Sequence, residues 1–465
     1  MVDCTFIIFG ITGDLSKSKI LPALYNLVLH NKINNYAIIG AGLEHKSVDE
    51  IFAQAQDFIP NFNQNIVTKL KDRTSYIQIN VAHENEFGAL NKLILETEKK
   101  FNLSGNRLVY CATPATLFAH ITKNLCNVQI LQKKNQDDKI WNRIAYEKPF
   151  GYDLKSAKKI NKEILALLNE FQIFRVDHYL AKDVVENILY IRFTNHIFES
   201  LWSNKHIESV QITLSEKSSV ANRGSYYDNF GALSDIVQNH ILQLMALITM
   251  DAPKQLEGND IRSCKAEIIK RIQVKDGLLG QYDGYLQELG VKANSKTETF
   301  AYLQLLVNNK RWKGVPFYIK TGKCLPNKET RIHIAFKSVD CKLTAGDKIE
   351  NNHLTIDLYP KGGFSFEINA KKPGVRGEII PVVMDFCYQC LFVPSTPEAY
   401  ENLILDIIKG DQAVSVRFDE IELAWKVMDK VRKLNLPLYK YAKNSWGPKE
   451  LDYVSKKNNI SWRQK

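Results

Sequence analysis

The feature that most constrains this chain is a short apolar run that ends in a glycine loop. Thr5 to Phe9 reads as a buried strand, Gly10-Ile11-Thr12-Gly13-Asp14-Leu15 follows it, and Ile20 to Leu29 reads as a helix with Leu21, Leu24 and Val28 on one face. Strand, tight loop and helix in that order form the first unit of a parallel α/β sheet. Glycine suits such a loop for two reasons: a turn there needs positive φ, and a pyrophosphate needs close backbone approach to the unpaired N–H groups of the helix. Taken alone, the loop is a shortened dinucleotide fingerprint, and an ordinary strand-to-helix turn explains it as well.

The alternation continues. Tyr36 to Ile39, Arg107 to Cys111 and Asn142 to Tyr146 read as strands, with a helix from about Leu154 to Glu170. This pattern predicts a doubly wound, Rossmann-like α/β domain for dinucleotide binding over residues 1–178. After about Val176 the texture changes. Ile207 to Leu214, Ile332 to Phe336, Leu354 to Leu358 and Phe364 to Ile368 read as strands, with helices around Ser234 to Met250, Ala399 to Ile408 and Glu420 to Val431. A larger α+β domain with a mainly antiparallel sheet is expected over residues 179–465. No internal repeat or low-complexity linker interrupts it.

Composition narrows the class of function. The chain has 465 residues, 45% of them hydrophobic, enough for a well-filled core. Lys and Arg number 62 against 51 acids, a formal net charge of +11, but these cations are scattered rather than grouped in a block interleaved with aromatics. Small anionic ligands fit that pattern, and no nucleic-acid partner is expected. No run approaches the roughly 18 apolar residues of a membrane span. The start, Met1-Val2-Asp3-Cys4-Thr5, has no cationic lead, and Phe6 to Phe9 is short for a signal peptide. A cytoplasmic protein without a membrane partner is the expectation. Of the eight cysteines only Cys387 and Cys390 have C-x-x-C spacing, and a zinc site needs a second pair, so no metal is expected. Met384 to Phe392 reads as a buried strand, its two thiols reduced and in the core.

Four further segments carry specific chemistry. They are Glu147-Lys148-Pro149-Phe150-Gly151; Arg175-Val176-Asp177-His178-Tyr179-Leu180-Ala181-Lys182; Gly231-Ala232-Leu233-Ser234-Asp235-Ile236-Val237-Gln238-Asn239-His240; and Gly314-Val315-Pro316-Phe317-Tyr318-Ile319-Lys320-Thr321-Gly322-Lys323. With the first loop and Arg223-Gly224-Ser225-Tyr226-Tyr227-Asp228, they closely resemble the glucose-6-phosphate dehydrogenase family, in order from about Phe6 to Trp425. The resemblance implies oxidation of glucose 6-phosphate to 6-phosphoglucono-1,5-lactone, with hydride transfer to NADP. It also implies a homodimer, or a dimer-based tetramer, built through the large sheet. No second, structural coenzyme site is expected.

By the same resemblance His240 is the general base, since oxidising a hemiacetal needs a group to take the hydroxyl proton as hydride leaves the same carbon. Asp177 resembles the carboxylate that orients this histidine and stabilises the imidazolium. His178, Tyr179 and Lys182 resemble the phosphate grip, where cations and hydroxyl donors gather on one segment. Lys148 is implied at both the sugar and the nicotinamide, and Pro149 in coenzyme positioning. Glu216 and Asp235 match acids that accept hydrogen bonds from sugar hydroxyls, while Lys323, Lys328 and Lys19 match lysines of the sugar site. Gly10, Thr12, Gly13, Asp14 and Leu15 form the coenzyme loop. Without the motifs these residues read blandly. His240 shares an apolar helical face with Ile236, Val237, Ile241, Leu244 and Met245, Asp177 is a turn or cap residue, and Asp235 is an acid in a helix first turn. Lysines mostly face solvent.

Two positions depart from the family pattern. After the second strand, Gly40-Ala41-Gly42-Leu43-Glu44-His45-Lys46 has Leu43 where an arginine usually grips the 2′-phosphate of NADP, and leucine offers no planar fork. Lys46, Lys17 or Thr12 compensate in an NADP reading, whereas Glu44 favours the free ribose hydroxyl of NAD. NADP is expected, with NAD also accepted. Lys320 replaces the arginine usual before Thr-Gly-Lys. A Rossmann-type sugar or inositol dehydrogenase using NAD would explain the loop and Lys148, but not Asp177 to Lys182 together with Asp235 to His240. A basic nucleic-acid-binding or scaffold protein explains only the charge.

Overall fold

The computed structural model describes residues 3–59, 62–339, 349–375, 378–392 and 398–463. Met1 and Val2 lie outside them. The chain forms two compact units. The first comprises Met1–Lys182, Pro253–Arg262 and Pro397–Glu422; the second comprises Asp183–Ala252, Ser263–Thr396 and Leu423–Lys465.

The first unit holds a six-stranded parallel sheet of β1 (Asp3–Phe9), β2 (Asn35–Gly42), β3 (Thr74–Gln78), β4 (Arg107–Cys111), β5 (Asn142–Tyr146) and β6 (Ile173–Arg175). Its strand order is β3-β2-β1-β4-β5-β6, and every neighbouring pair is parallel. This is the doubly wound arrangement, in which helices cover both faces. Its strands are therefore near-continuous apolar runs: Cys4 to Phe9 are all buried. Because all six strands run the same way, the segments that follow them emerge along one edge of the sheet. The loop after β1, the Glu147–Lys148 step after β5 and Asp177 after β6 all lie on that edge.

The chain returns to this unit near its end. The helix Ala399–Lys409 buries Tyr400, Leu403, Ile404 and Ile407 in the same core as Phe6, Leu24 and Phe174. Full burial of such a side chain is worth roughly 1.5–3 kcal/mol. A break near residue 178 read from texture alone does not show this return, because an amphipathic helix carries no mark of which core it covers.

The second unit is built on a nine-stranded sheet. Its strands are β7 (Ile207–Ser215), β8 (Ile272–Tyr282), β9 (Phe300–Val307), β10 (Phe317–Gly322), β11 (Glu329–Phe336), β12 (His353–Tyr359), β13 (Gly363–Lys371), β14 (Ile379–Cys387) and β15 (Leu438–Tyr441). The order is β14-β13-β12-β11-β7-β10-β9-β8-β15, antiparallel except for β7 with β10 and β8 with β15. Against it packs the helical stretch Leu233–Thr249, whose C-terminal carbonyls would otherwise be unsatisfied. Buried side chains supply the donors: Arg192 to Leu247 O and Met250 O at 2.6 and 2.7 Å, Trp202 Nε1 to Ile248 O at 2.7 Å, and Trp312 Nε1 to Thr249 O at 2.8 Å.

One expectation is corrected here. Met384 to Phe392 is not a buried strand with core thiols: β14 is an edge strand ending at Cys387, a short helix Tyr388–Phe392 follows, and Met384 is 53% exposed. Cys387 and Cys390 are joined by a disulfide, with Cα atoms 5.2 Å apart. Apolar and aromatic composition suggested the interior, yet an edge strand has only one neighbour to bury it. Among the described residues no helix is long and apolar enough to cross a membrane.

Candidate active site

The glycine loop after β1 is held between its two neighbouring strands. The Gly10 N–H donates to Ala41 O at 2.8 Å, and the Ala112 N–H donates to Phe9 O at 3.0 Å. Gly10 sits at φ +77°, and a Cβ added there would lie 2.6 Å from Ala112 O. Both conformation and space demand glycine. The Gly13 N–H and the Ser16 hydroxyl donate to Gly10 O at 3.0 and 2.8 Å, which folds the loop back on itself at the start of the helix. Gly40 has a second, steric role, because a Cβ there would meet Ile11 Cδ1 at 2.7 Å.

Beside the loop lies a cavity of about 730 Å³, lined by Thr12, Gly13, Asp14, Lys17, Glu44 and Lys46, among others. Such a volume suits part of a dinucleotide. Lys17 Nζ pairs with Asp14 at 2.5 Å and Lys46 Nζ with Glu44 at 2.6 Å, so two cations face the cavity beside their own acids. Leu43 is 66% exposed and brings no donor there from its side chain. Backbone approach, two lysines and a cavity at the carboxyl edge of the sheet fit a nicotinamide dinucleotide.

Further along the same edge, β5 and β6 pair Tyr146 with Arg175, so Glu147–Lys148 runs beside Val176–Asp177. Lys148–Pro149 is a cis peptide. Glu147 is buried and accepts from the hydroxyls of Tyr110 at 2.6 Å and Tyr400 at 3.1 Å, while burial pushes its carboxyl above the usual range. The Tyr400 ring stacks on His178, centroids 6.1 Å apart. Asp177 is buried and accepts the Tyr179 N–H at 3.0 Å, a local turn that sets the direction of the following residues. Lys182 Nζ lies 4.1 Å from the Tyr179 ring centre. Lys19, on the turn after the glycine loop, is paired with Glu398 at 3.3 Å.

In the second unit, the parallel pair β7 and β10 ends with Gly322 opposite Ser215, so the next residues, Glu216 and Lys323, come side by side. Lys323 Nζ pairs with Glu216 Oε2 at 2.6 Å and lies 5.3 Å from the Tyr227 ring centre. Burial holds the Tyr227 phenol well above its ordinary pKa, with the charges of Asp235 and Glu216 adding to the effect. Glu216, Asp235, Lys323 and Tyr227 thus form one group. Lys328 is exposed over the Tyr359 ring at 4.7 Å, and Lys320 is buried in β10 between Trp446 and Trp462. Burial draws the Lys320 ammonium down to about 8.

His240 is 1% exposed and Asp235 7%. Both stand on Leu233–Ile241, which is wound as a π-helix. In an α-helix, residues five apart point about 140° from one another at 3.6 residues per turn. With i→i+5 bonding they stack nearly one above the other. The winding therefore places Asp235 and His240 on one side of the segment, where α spacing would have put His240 on a purely apolar face. At its N-terminal end the Leu233 N–H donates to the Glu298 carboxylate at 3.0 Å and the Ala232 N–H to Glu298 O at 3.0 Å.

Glu147, Tyr400, Tyr227 and Glu298 were not singled out from sequence. Glu147 had a signal, since it opens the motif that contains Lys148. Tyr227 had one too, in the motif Arg223 to Asp228, whereas Tyr400 and Glu298 lie far along the chain from the groups they touch, and only folding reveals them.

Comparison with known proteins agrees along the whole chain. The family profile described as glucose-6-phosphate dehydrogenase, NAD binding domain, matches residues 7–187, and that of the C-terminal domain matches residues 189–463. Glucose-6-phosphate 1-dehydrogenase of Bacillus subtilis is 36% identical over 98% of this chain and 97% of its own length. A solved structure described as glucose-6-phosphate dehydrogenase in complex with its substrate glucose-6-phosphate superposes with a TM-score of 0.90 at 30% identity, covering 100% of this chain and 99% of that one. The structure of glucose-6-phosphate 1-dehydrogenase from Mycobacterium avium gives 0.84 at 30% identity, covering 99% of each chain.

Proposed function

Because the chain belongs to the glucose-6-phosphate dehydrogenase family, we propose that it oxidises glucose 6-phosphate at the anomeric carbon to 6-phosphoglucono-1,5-lactone, with NADP as hydride acceptor. The full-length match to relatives of that name carries the reading. A nicotinamide coenzyme supplies the hydride acceptor when bound. Gly10, Thr12, Gly13, Asp14 and Leu15 hold its pyrophosphate side, and Lys148 and Pro149 its nicotinamide side.

His240 takes the proton of the anomeric hydroxyl on its imidazole, and Asp177 orients the ring and stabilises the positive charge it acquires. Enclosure of His240 favours this role, because the buried ring is kept from exchanging its proton with bulk water. His178, Tyr179 and Lys182 grip the phosphate. Glu216 and Asp235 accept hydrogen bonds from sugar hydroxyls, with Lys323, Lys328 and Lys19 completing the sugar site. Lys323 also pairs with Glu216, which fixes the direction of the carboxylate beside the sugar. Lys46 and Lys17, in place of an arginine at Leu43, favour the 2′-phosphate of NADP, and NAD is accepted more weakly.

The enzyme works in the cytoplasm as a homodimer, or a dimer-based tetramer, joined through the large sheet. Residues 1–178 bind the dinucleotide, and 179–465 serve substrate binding and dimerisation. Val383 and Met384, 60% and 53% exposed on edge strand β14, support an interface there. The decisive assay follows reduced nicotinamide by absorbance with glucose 6-phosphate and each coenzyme. Reduction that depends on glucose 6-phosphate is expected. No reduction with either coenzyme would overturn the reading, and preference for inositol or an unphosphorylated sugar would favour the rival dehydrogenase class.

A further inference from the structure

A cavity of about 640 Å³ in the second unit takes no part in the site described above. It lies at the edge of the nine-stranded sheet where β7 and β10 begin: Lys205 stands just before β7, and Lys310 and Arg311 lie between β9 and β10. β7 and β10 run parallel, and Glu216 and Lys323 follow their far ends. The nine residues of β7, at about 3.3 Å each, separate the cavity from that pair. One wall is a helix face, because Cys264, Glu267, Ile268 and Arg271 recur at helical spacing along the helix Gly258–Lys270 and just past its end. Buried Ile268 and half-buried Cys264 make part of that wall apolar.

The charges of the cavity do not cancel. Glu199 accepts from Arg311 Nη2, Asp251 lies 3.4 Å from Arg311 Nε, and Glu267 accepts from Arg271 Nε at 2.7 Å. Behind them Arg192, 0% exposed, feels the charges of Glu199, Asp251 and Arg311. These three acids and three arginines balance one another. Lys205 and Lys310 are exposed, stand in no ion pair among the described residues, and bring two further positive charges. The C-terminal end of the helix Gly258–Lys270 offsets only about half a charge, so the lysines stay in excess. Arg311 Nη1 and Glu199 Oε2 are buried with no hydrogen-bond partner among the described residues. An oxyanion satisfies that guanidinium N–H, and a hydroxyl satisfies that carboxylate oxygen. A metal ion fits less well, because each acid already has its arginine and, among the described residues, no three metal-ligating groups meet around the cavity.

We propose that this cavity binds a small phosphate monoester, with the dianion held by Lys205, Lys310 and the fork of Arg311, and a hydroxyl of the ligand donating to Glu199. A phosphate monoester carries a charge of about −1.5 to −2 at pH 7, which matches the two unpaired lysines. The guanidinium adds direction, since its planar fork suits phosphate oxygens and one of its N–H groups still lacks a partner. The carbon part of the ligand lies against Ile268 and Cys264. The volume is in the range of small-molecule sites, well beyond what an inorganic anion fills. None of these groups belongs to the sugar-oxidising site proposed above, so the cavity stands whether or not that reading holds.

The test treats the full-length protein with iodoacetamide and follows Cys264 by peptide mass, in the presence of inorganic phosphate, glycerol 2-phosphate or chloride at matched ionic strength. Either phosphate is expected to slow the labelling along a saturation curve, about fivefold at about four times its Kd, and chloride is expected to leave it unchanged. Cys126, half-buried in the first unit, is the control and labels at one rate throughout. The double variant Lys205→Ala, Lys310→Ala is expected to keep the parent kcat and to lose the protection. Amide exchange of residues 199–206 and 264–271, slowed by phosphate in the parent but not in the double variant, gives the same reading without the thiol. The proposal is overturned if neither labelling nor exchange responds to phosphate, if chloride protects equally, or if the double variant is still protected. Protection by inorganic phosphate but not by glycerol 2-phosphate would overturn the monoester assignment.

Discussion

At the scale of single residues, the chemistry depends on positions where one atom decides. His240→Asn keeps much of the shape of the imidazole but cannot accept the proton. We expect kcat to fall about 10²–10⁴-fold with KM for glucose 6-phosphate within a few-fold; near-normal kcat would remove His240 as base. Gly10→Ala places a Cβ 2.6 Å from Ala112 O at φ +77°. A cost on the order of 1–3 kcal/mol is expected in urea unfolding, together with a raised coenzyme KM. A variant as stable as the parent would show that the loop relaxes without loss. Lys46 tests coenzyme choice. Lys46→Ala should lower kcat/KM for NADP about tenfold and leave that for NAD within about twofold. Equal losses would mean that Lys46 serves the loop, not the 2′-phosphate.

At the scale of elements, the π-wound segment Leu233–Ile241 carries His240 within the second unit. Glu298 anchors its start through the Leu233 N–H, yet enclosure holds the Glu298 carboxyl up at about 7 rather than its ordinary 4.5. Between those values the folded chain binds more protons at this site than the unfolded chain. Stability from this group is full below about 4.5 and is lost as pH rises through about 7. Glu298→Gln should flatten that slope in a series of thermal melts across the window; parallel slopes for variant and parent would show that Glu298 does not carry it. Nothing in the local pattern of residues marks this winding. The residues Ile236 to Met245 satisfy an α pattern, and the group that holds the start of the segment, Glu298, lies many residues away. Much else at this scale was legible. Strands β1, β2, β4 and β5, and the later β7, β11, β12 and β13, stand where apolar periodicity placed them, and all of them except the half-buried β13 bury at least one face. β14 misled for the opposite reason: an edge strand can be rich in apolar residues without being enclosed.

For the whole molecule, assembly is the open consequence of the fold. Sedimentation equilibrium is expected to give at least twice the 53.3 kDa chain mass, and a Val383→Asp, Met384→Lys double variant is expected to shift the enzyme toward single chains. A parent enzyme that remains a single chain would refute the dimer. The sequence by itself determined the class of each unit, the glycine loop, and the motifs that name the family and its reaction. Those signals are local: a turn needs glycine, a strand needs its period, and a motif keeps its spacing. Only the tertiary structure decided that Glu216 and Lys323 meet, that the helix Ala399–Lys409 covers the first core, and that Asp235 and His240 share a π-wound segment. It also decided that the cysteine pair is an exposed disulfide rather than two core thiols. Such facts depend on which distant segments bury one another, and apolar burial is non-directional, so no local pattern records its partner.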